Sequence, residues 1–291
     1  MKELRQITVV GLGLLGGSIT LAVLRTFAGV KTVGYSHRSV TRRKARQLAV
    51  ATEITDDIKT SVSRTDLVIL ATPICTFEKI FDEIRDALPS GCIVTDVGST
   101  KVLPHRWAEK RLPKSVYYVG SHPIAGSEQR GVEFARDDLF EGMVCILTAT
   151  KKTNPQAVHS LKRFWSGLGC NIKLMRPAEH DRILGNVSHL PHIMAAALVN
   201  ASNIRELAFA GKGFMDTSRI ASSPANIWAD VLATNGNNIG KGIAKITAEL
   251  GKLKKAIKSR NRKQIEKLLE AARNKRNALI NYKMKKKEMI L

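Results

Sequence analysis

The chain has 291 residues and a mass of 32.0 kDa, long enough for two domains with real cores. Hydrophobic residues at 44% and charged residues at 25% exclude a disordered, collagen-like or disulfide-stapled chain. Lys and Arg outnumber Asp and Glu by 47 to 25, and residues 252–291 alone hold 15 basic against 3 acidic groups. That run reads as a solvated helix, with an anion-binding surface as the alternative. Aromatics at 5% leave little for base stacking, and no zinc-finger, RNA-recognition or basic-zipper spacing occurs, so nucleic acid is not an expected partner.

From Ile7 to about Arg176, short β-branched runs alternate with longer helical patterns, the signature of a parallel sheet with helices on both faces. Strands are expected at 7–10, 31–35, 67–71, 92–96, 116–120, 143–148 and 171–175, with helices at 41–49, 76–87 and 156–168 among those between them. The segment Ile7–Leu24 carries no charge and resembles a membrane span or signal peptide. Gly11, Gly13, Gly16 and Gly17 interrupt it where a strand turns into a helix, so neither is expected. From Arg176-Pro177 onward the pattern is helical only, including an apolar stretch Ile183–Leu198 too long for a strand. The expected fold is therefore α/β: a Rossmann-type, mostly parallel sheet domain over residues 1–176, then an all-helical dimerisation domain over 177–291. An all-helical domain buries its apolar faces on its own helices or on a second subunit, and a homodimer is the expected assembly. Cys75, Cys92, Cys145 and Cys170 are widely spaced without a C-x-x-C pair and read as buried reduced thiols of a cytoplasmic protein.

Gly11-Leu12-Gly13-Leu14-Leu15-Gly16 follows the strand 7–10 and opens a helix, the context that a dinucleotide fingerprint requires. Gly11 allows the turn, Gly13 admits a pyrophosphate to the backbone N–H groups, and Gly16 lets the helix pack on the strand. Thr72 and Pro73, after the strand 67–71, join the cofactor set. At the end of the second strand, where a carboxylate would bind the ribose 2′-hydroxyl of NAD, stand Ser36, His37 and Arg38, with Arg42 and Arg43 close by. A hydroxyl and cations suit a 2′-phosphate, so NADP is the expected cofactor, with NAD as the alternative.

Two further segments look unlike scaffold: Thr95-Asp96-Val97-Gly98-Ser99-Thr100-Lys101 and Ser121-His122-Pro123-Ile124-Ala125-Gly126-Ser127-Glu128, both expected at the C-terminal ends of strands. Hydride transfer from an alcohol needs a base for the hydroxyl proton, and His122 is the candidate. In the helical domain, Ser188-His189-Leu190-Pro191-His192 starts the apolar helix, and Gly211–Ala221 reads as a glycine-rich polar loop. His189 and His192 lack a third ligand at metal-binding spacing, and no metal is expected. Arg219 is placed either to clamp a carboxylate or to pair with Asp216.

With these motifs in this order, over nearly the whole chain, the sequence resembles the prephenate and arogenate dehydrogenases of tyrosine biosynthesis. The resemblance implies hydride transfer from ring C4 to the nicotinamide, loss of CO₂ and aromatisation, giving 4-hydroxyphenylpyruvate from prephenate or, as the alternative, tyrosine from arogenate. It implies that His122 accepts the ring-hydroxyl proton, Ser99 orients that hydroxyl, His189 holds the ring from the helical side, Arg219 binds the ring carboxylate, and Ser127 and Glu128 lie beside the substrate. Lys212 and Met215 stand where the family commonly has glycine and arginine; Lys212 is expected to add a cationic contact near the substrate side chain. A regulatory domain or fused mutase, present in some members, is not expected. A β-hydroxyacid dehydrogenase, the competing enzyme class, would carry a lysine on the first long helix of its helical domain, and none occurs between Asp181 and Asn203.

Overall fold

The computed structural model describes residues 4–125 and 129–285. Six strands form one parallel sheet: β1 (Gln6–Val10), β2 (Lys31–Tyr35), β3 (Glu53–Thr55), β4 (Leu67–Leu70), β5 (Ile93–Asp96) and β6 (Tyr117–Tyr118), in spatial order β3-β2-β1-β4-β5-β6. Helices on both faces explain why β1 and β4 read as near-continuous apolar runs. Ile7, Val9, Leu67 and Ile69 serve one buried cluster, and Val10, Val68 and Leu70 another. Each such side chain contributes about 1.5–3 kcal/mol by leaving water. The order reverses between β1 and β4, which opens a crevice at the carboxyl ends of those strands.

A second sheet holds β7 (Gly120–Pro123), β8 (Val144–Thr148) and β9 (Asn171–Met175) in that order, with β7 antiparallel to β8 and β8 parallel to β9. The expected strand 116–120 is thus two strands, which part at Val119. The sequence runs through this crossing without a turn signal. Gly120 is needed there, because a Cβ would stand 2.5 Å from Thr148 Oγ1 and 2.8 Å from Lys101 Cδ. Strand β3 was not expected; its three residues carry too short a pattern. The helices Ser39–Gln47, Phe77–Ile84 and Pro155–Gly167 match expectation to within a few residues. The last of these starts where its cap dictates: Asn154 Oδ1 accepts from the N–H groups of Gln156 and Ala157, and Pro155 takes the first helical position.

The apolar stretch beyond Arg176 is not one helix. Helix Pro177–Leu184 passes through a π turn, Gly185–His189, into helix Leu190–Ala201. Pro191 supplies the cause, since its ring displaces the carbonyl of the preceding turn and it donates no N–H. The expected loop 211–221 is instead a helix, Lys212–Ser218, and a 3-10 turn, Arg219–Ser222. Hydroxyls of Thr217 and Ser218 bond back to the carbonyls of Gly213 and Phe214, closing turns that glycines alone would leave open. Cys75 is also a correction: it is exposed, whereas Cys92, Cys145 and Cys170 are buried.

Residues up to Ile239 form one compact unit and those from Gly240 a second. The second consists of the remainder of helix Gly236–Lys258 and helix Arg262–Lys285. Its basic side chains from Lys252 to Arg276 are all exposed. Among the described residues no helix is long and apolar enough to cross a membrane.

Candidate active site

At the β1–β4 crevice the backbone leaves Gly11 at φ 104°. A Cβ there would lie 2.7 Å from the Ala71 carbonyl oxygen and 2.8 Å from Thr72 Cγ2, so the turn and the packing of Thr72 both demand glycine. A Cβ on Gly16 would fall 1.8 Å from the Gly11 oxygen, which fixes how closely helix Leu14–Thr26 approaches the turn. Gly13, the N-cap of that helix, differs: nothing lies within 4 Å of where its Cβ would be. Open space over uncapped N–H groups, with no acidic residue in the first turn, fits a pyrophosphate. Leu12 is buried against Gly34, while Leu14 and Leu15 are half-buried. Pro73 is exposed and its carbonyl accepts from Thr76 Oγ1 at 2.7 Å, which shapes the turn after β4.

The end of β2 carries the cations as expected but divides their work. Arg42 donates to the carbonyls of Ser36 and His37 at 2.9 and 3.0 Å and pairs with Asp56 at 2.6 Å, so it braces the corner. His37 and Arg38 are exposed, and the buried Ser36 hydroxyl accepts from the Arg38 N–H at 3.3 Å.

The turn after β5 is built around a fully buried ion pair. Lys101 Nζ donates to Asp96 Oδ1 at 2.5 Å and to the carbonyls of Gly98 and Thr100 at 2.8 and 3.1 Å. Tyr118 OH donates to the other carboxylate oxygen at 2.6 Å. Ser99 sits half-buried within this turn.

His122 lies within strand β7, opposite Ile146, rather than just past the end of the expected strand 116–120. Its Nδ1 is 2.8 Å from His180 Nε2, and His180 Nδ1 is 2.8 Å from Asp181 Oδ1. The Asp181 carboxylate also accepts from the N–H groups of Lys101 and Val102 at 2.7 and 2.9 Å, the start of helix Val102–Arg111. Burial, then the neighbouring His180, Lys101 and His189, hold the His122 imidazole well below its ordinary pKa. Such a group is neutral at pH 7 and suited to accept a proton.

At 3.6 residues per turn, the nine-residue step from His180 to His189 would make about two and a half turns and set the two rings on opposite faces. The π turn alters that phase. His189 consequently comes back to the same network: its Nδ1 is 3.1 Å from Asn235 Nδ2, which also donates to the Asp181 carbonyl at 2.7 Å. Burial pushes the His189 imidazole down to about 4, and its buried Nε2 has no partner among the described residues. His192 does not join it in a ligand pair; it stacks on Trp228 with ring centroids 3.6 Å apart.

Arg219 and Lys212 are exposed. Arg219 makes no ion pair among the described residues, so the alternative of an Asp216 partner is not realised. It lines a cavity of about 530 Å³ with Val199, Leu207, Phe214 and Met215, a lining that excludes Ser99, His122 and His189. Ser127 and Glu128 lie outside the described residues. His180, Asp181 and Asn235 were missed by sequence reasoning. A His-Asp dipeptide on a helix has no spacing signature, and its partner His122 is 58 residues away.

Residues 19–174 match the family described as "Prephenate dehydrogenase, nucleotide-binding domain", and residues 176–272 "Prephenate dehydrogenase, dimerization domain". The chain is 34% identical to prephenate dehydrogenase of Bacillus subtilis over 94% of its own length and 76% of that protein. It is 31% identical to cyclohexadienyl dehydrogenase of Zymomonas mobilis, covering 90% of this chain and 91% of that one. The structure of prephenate dehydrogenase from A. aeolicus, in complex with hydroxyphenyl propionate and NAD+, superposes with a TM-score of 0.89 at 33% identity, covering 96% of this chain and 99% of that chain.

Proposed function

This chain belongs to the prephenate dehydrogenase family of nicotinamide-dependent oxidoreductases, and from that premise we propose that it oxidatively decarboxylates prephenate to 4-hydroxyphenylpyruvate. The observation that carries the reading is a neutral, buried His122, backed by His180 and Asp181, in a chain whose Gly-rich turn is shaped for a dinucleotide. His122 takes the proton of the ring hydroxyl, which Ser99 orients. The bound nicotinamide supplies the acceptor for the hydride leaving ring C4. The bond from the ring to its carboxylate then breaks, CO₂ departs, and the electron pair left behind completes the aromatic ring as a phenolate, whose oxygen regains the proton held by His122. Arg219 and Lys212 are assigned to the substrate's anionic groups, with His189 holding the ring from the helical side and Ser127 and Glu128 beside the substrate, on the motif resemblance. Arogenate, with an amino in place of a keto side chain, is the second reading, favoured by the likeness to a cyclohexadienyl dehydrogenase.

The chain's division is placed at 176/177, with a sheet domain for the nucleotide and a helical domain for substrate and dimer contacts. A homodimer is supported by the match to a dimerization domain and by the exposed Ile243, Leu250 and Ile257, spaced one heptad apart on one helix. Buried cysteines outside any disulfide, Cys92, Cys145 and Cys170, suit a cytoplasmic location.

For the cofactor, the β2 corner favours NADP, with the 2′-phosphate read by Ser36, His37 and Arg38. Rates of nicotinamide reduction with prephenate or arogenate, each paired with NAD or NADP, test both choices. Prephenate with NADP is the expected best pair. Arg38→Asp is expected to raise KM for NADP about 10–100-fold, the worth of one charge-assisted phosphate contact, with little change for NAD. A parent enzyme that strongly prefers NAD overturns the 2′-phosphate assignment, and silence in all four pairs overturns the reaction.

A further inference from the structure

The hydrogen bonds converging on Asp181 determine where two imidazole protons reside. An ionised carboxylate only accepts, so the His180 nitrogen facing it, Nδ1, carries a proton. Burial lowers the pKa of His180, which keeps the ring neutral and makes its Nε2 an acceptor. The His122 nitrogen 2.8 Å away, Nδ1, must then be the donor. On the other side, the Asp181 backbone oxygen also only accepts, so the Asn235 atom 2.7 Å from it is the amide nitrogen. Asn238 Nδ2 donates to the remaining Asn235 oxygen at 2.8 Å, in agreement with that orientation. His189 Nδ1 therefore faces an N–H and accepts, and its proton sits on Nε2, the buried atom without a partner among the described residues.

We infer that Asp181 sets His122 and His189 in opposite tautomers, His122 with a free Nε2 lone pair and His189 with an Nε2–H donor, so that one is the base and the other a fixed donor to a substrate oxygen. His180, Asp181 and Asn235 are positioning residues in this arrangement. When His122 Nε2 gains the substrate proton, its Nδ1 proton can pass to His180 Nε2, which moves the positive charge next to the Asp181 carboxylate. The titratable and charged groups around His122 are His180, Lys101 and His189; those around His180 are Asp181, Lys101 and Asp96. Lys101 is already committed to Asp96, which leaves Asp181 as the carboxylate that receives the charge. A buried N–H left unpaired is destabilising, and a substrate oxygen that accepts from His189 removes that cost.

The consequence for catalysis rests on the proposed reaction, but the tautomers do not, and the two are measured separately. Imidazole 15N spectra of the full chain, with resonances assigned by loss in His122→Asn and His189→Asn, are expected to show protonated Nδ1 for His122 and protonated Nε2 for His189. The opposite tautomer at either ring overturns the inference, whether or not prephenate is oxidised. His180→Leu removes the acceptor and is expected to lower kcat about 100-fold at nearly constant KM, with His122 shifting to a mixture of tautomers. His180→Gln keeps an acceptor oxygen at that end of the side chain and is expected to recover most of the loss. A His180→Leu enzyme with unchanged kcat and an unchanged His122 spectrum also overturns it. If the leucine variant fails to fold, the spectrum of the unaltered chain still decides.

Discussion

Replacing His122 with Asn is expected to lower kcat by about 10²–10⁴-fold while KM for the ring substrate moves only a few-fold. The substitution is chosen because an Asn amide keeps a donor on the side that faces His180 Nε2 and loses only the nitrogen that accepts the substrate proton. A cavity or an orphaned acceptor would confuse the result, and this change minimises both. The parent enzyme should carry the signature of the same group in its pH profile. The base must be neutral to act, so kcat/KM falls as pH drops through its pKa. Burial first, then the neighbouring His180, Lys101 and His189, depress that pKa. The acid limb is therefore expected below the ordinary histidine range of about 6.5, with activity extending further into acid than an exposed imidazole would allow. In His122→Asn that limb should vanish from the residual rate. Near-normal turnover in the variant would remove His122 from its role.

Much of the sheet domain was legible because its signals are local. The glycines at 11, 13 and 16 mark one strand–turn–helix unit, where Gly16 packs on Gly11 and Gly13 leaves open space, although Gly11 is also crowded by Ala71 and Thr72; β2 and β9 span the expected 31–35 and 171–175. Failures occurred where a distant contact decides. The break between β6 and β7 depends on Thr148 and Lys101 crowding Gly120, and no turn residue announces it. The helix at Lys212–Ser218 was hidden by two glycines and a polar composition, although hydroxyl back-bonds and the half-buried Phe214 hold it. Pro191 was visible, but its effect on the phase of His189 relative to His180 follows only from the π turn it imposes. The relay behind His122 is the clearest case. Its members come from β7 and from a helix in the region read as a separate domain, and only the folded chain brings them together.

The largest effect on stability is expected from Lys101→Met. Lys101 and Asp96 are fully buried, and the pair is satisfied on all sides: Tyr118 and the Gly98 N–H bond the carboxylate, and two carbonyls bond the ammonium. Removing one partner leaves a carboxylate without its counter-charge in a dry site, a change that costs about 3–5 kcal/mol. For a chain of this size that is a fall in Tm of roughly 10 °C, read by circular dichroism. The double variant Asp96→Asn, Lys101→Met separates two roles. If the pair serves only stability, neutralising both members should restore most of the Tm and the activity together. Lys101, however, also holds the carbonyls of Gly98 and Thr100 on either side of Ser99, and methionine offers them no donor. The double variant is therefore expected to recover Tm and to retain a loss in kcat, because the turn that presents Ser99 is no longer fixed. A single Lys101→Met variant that melts within a degree or two of the parent would show that the buried charge at Asp96 is compensated by Tyr118 and the Gly98 N–H alone.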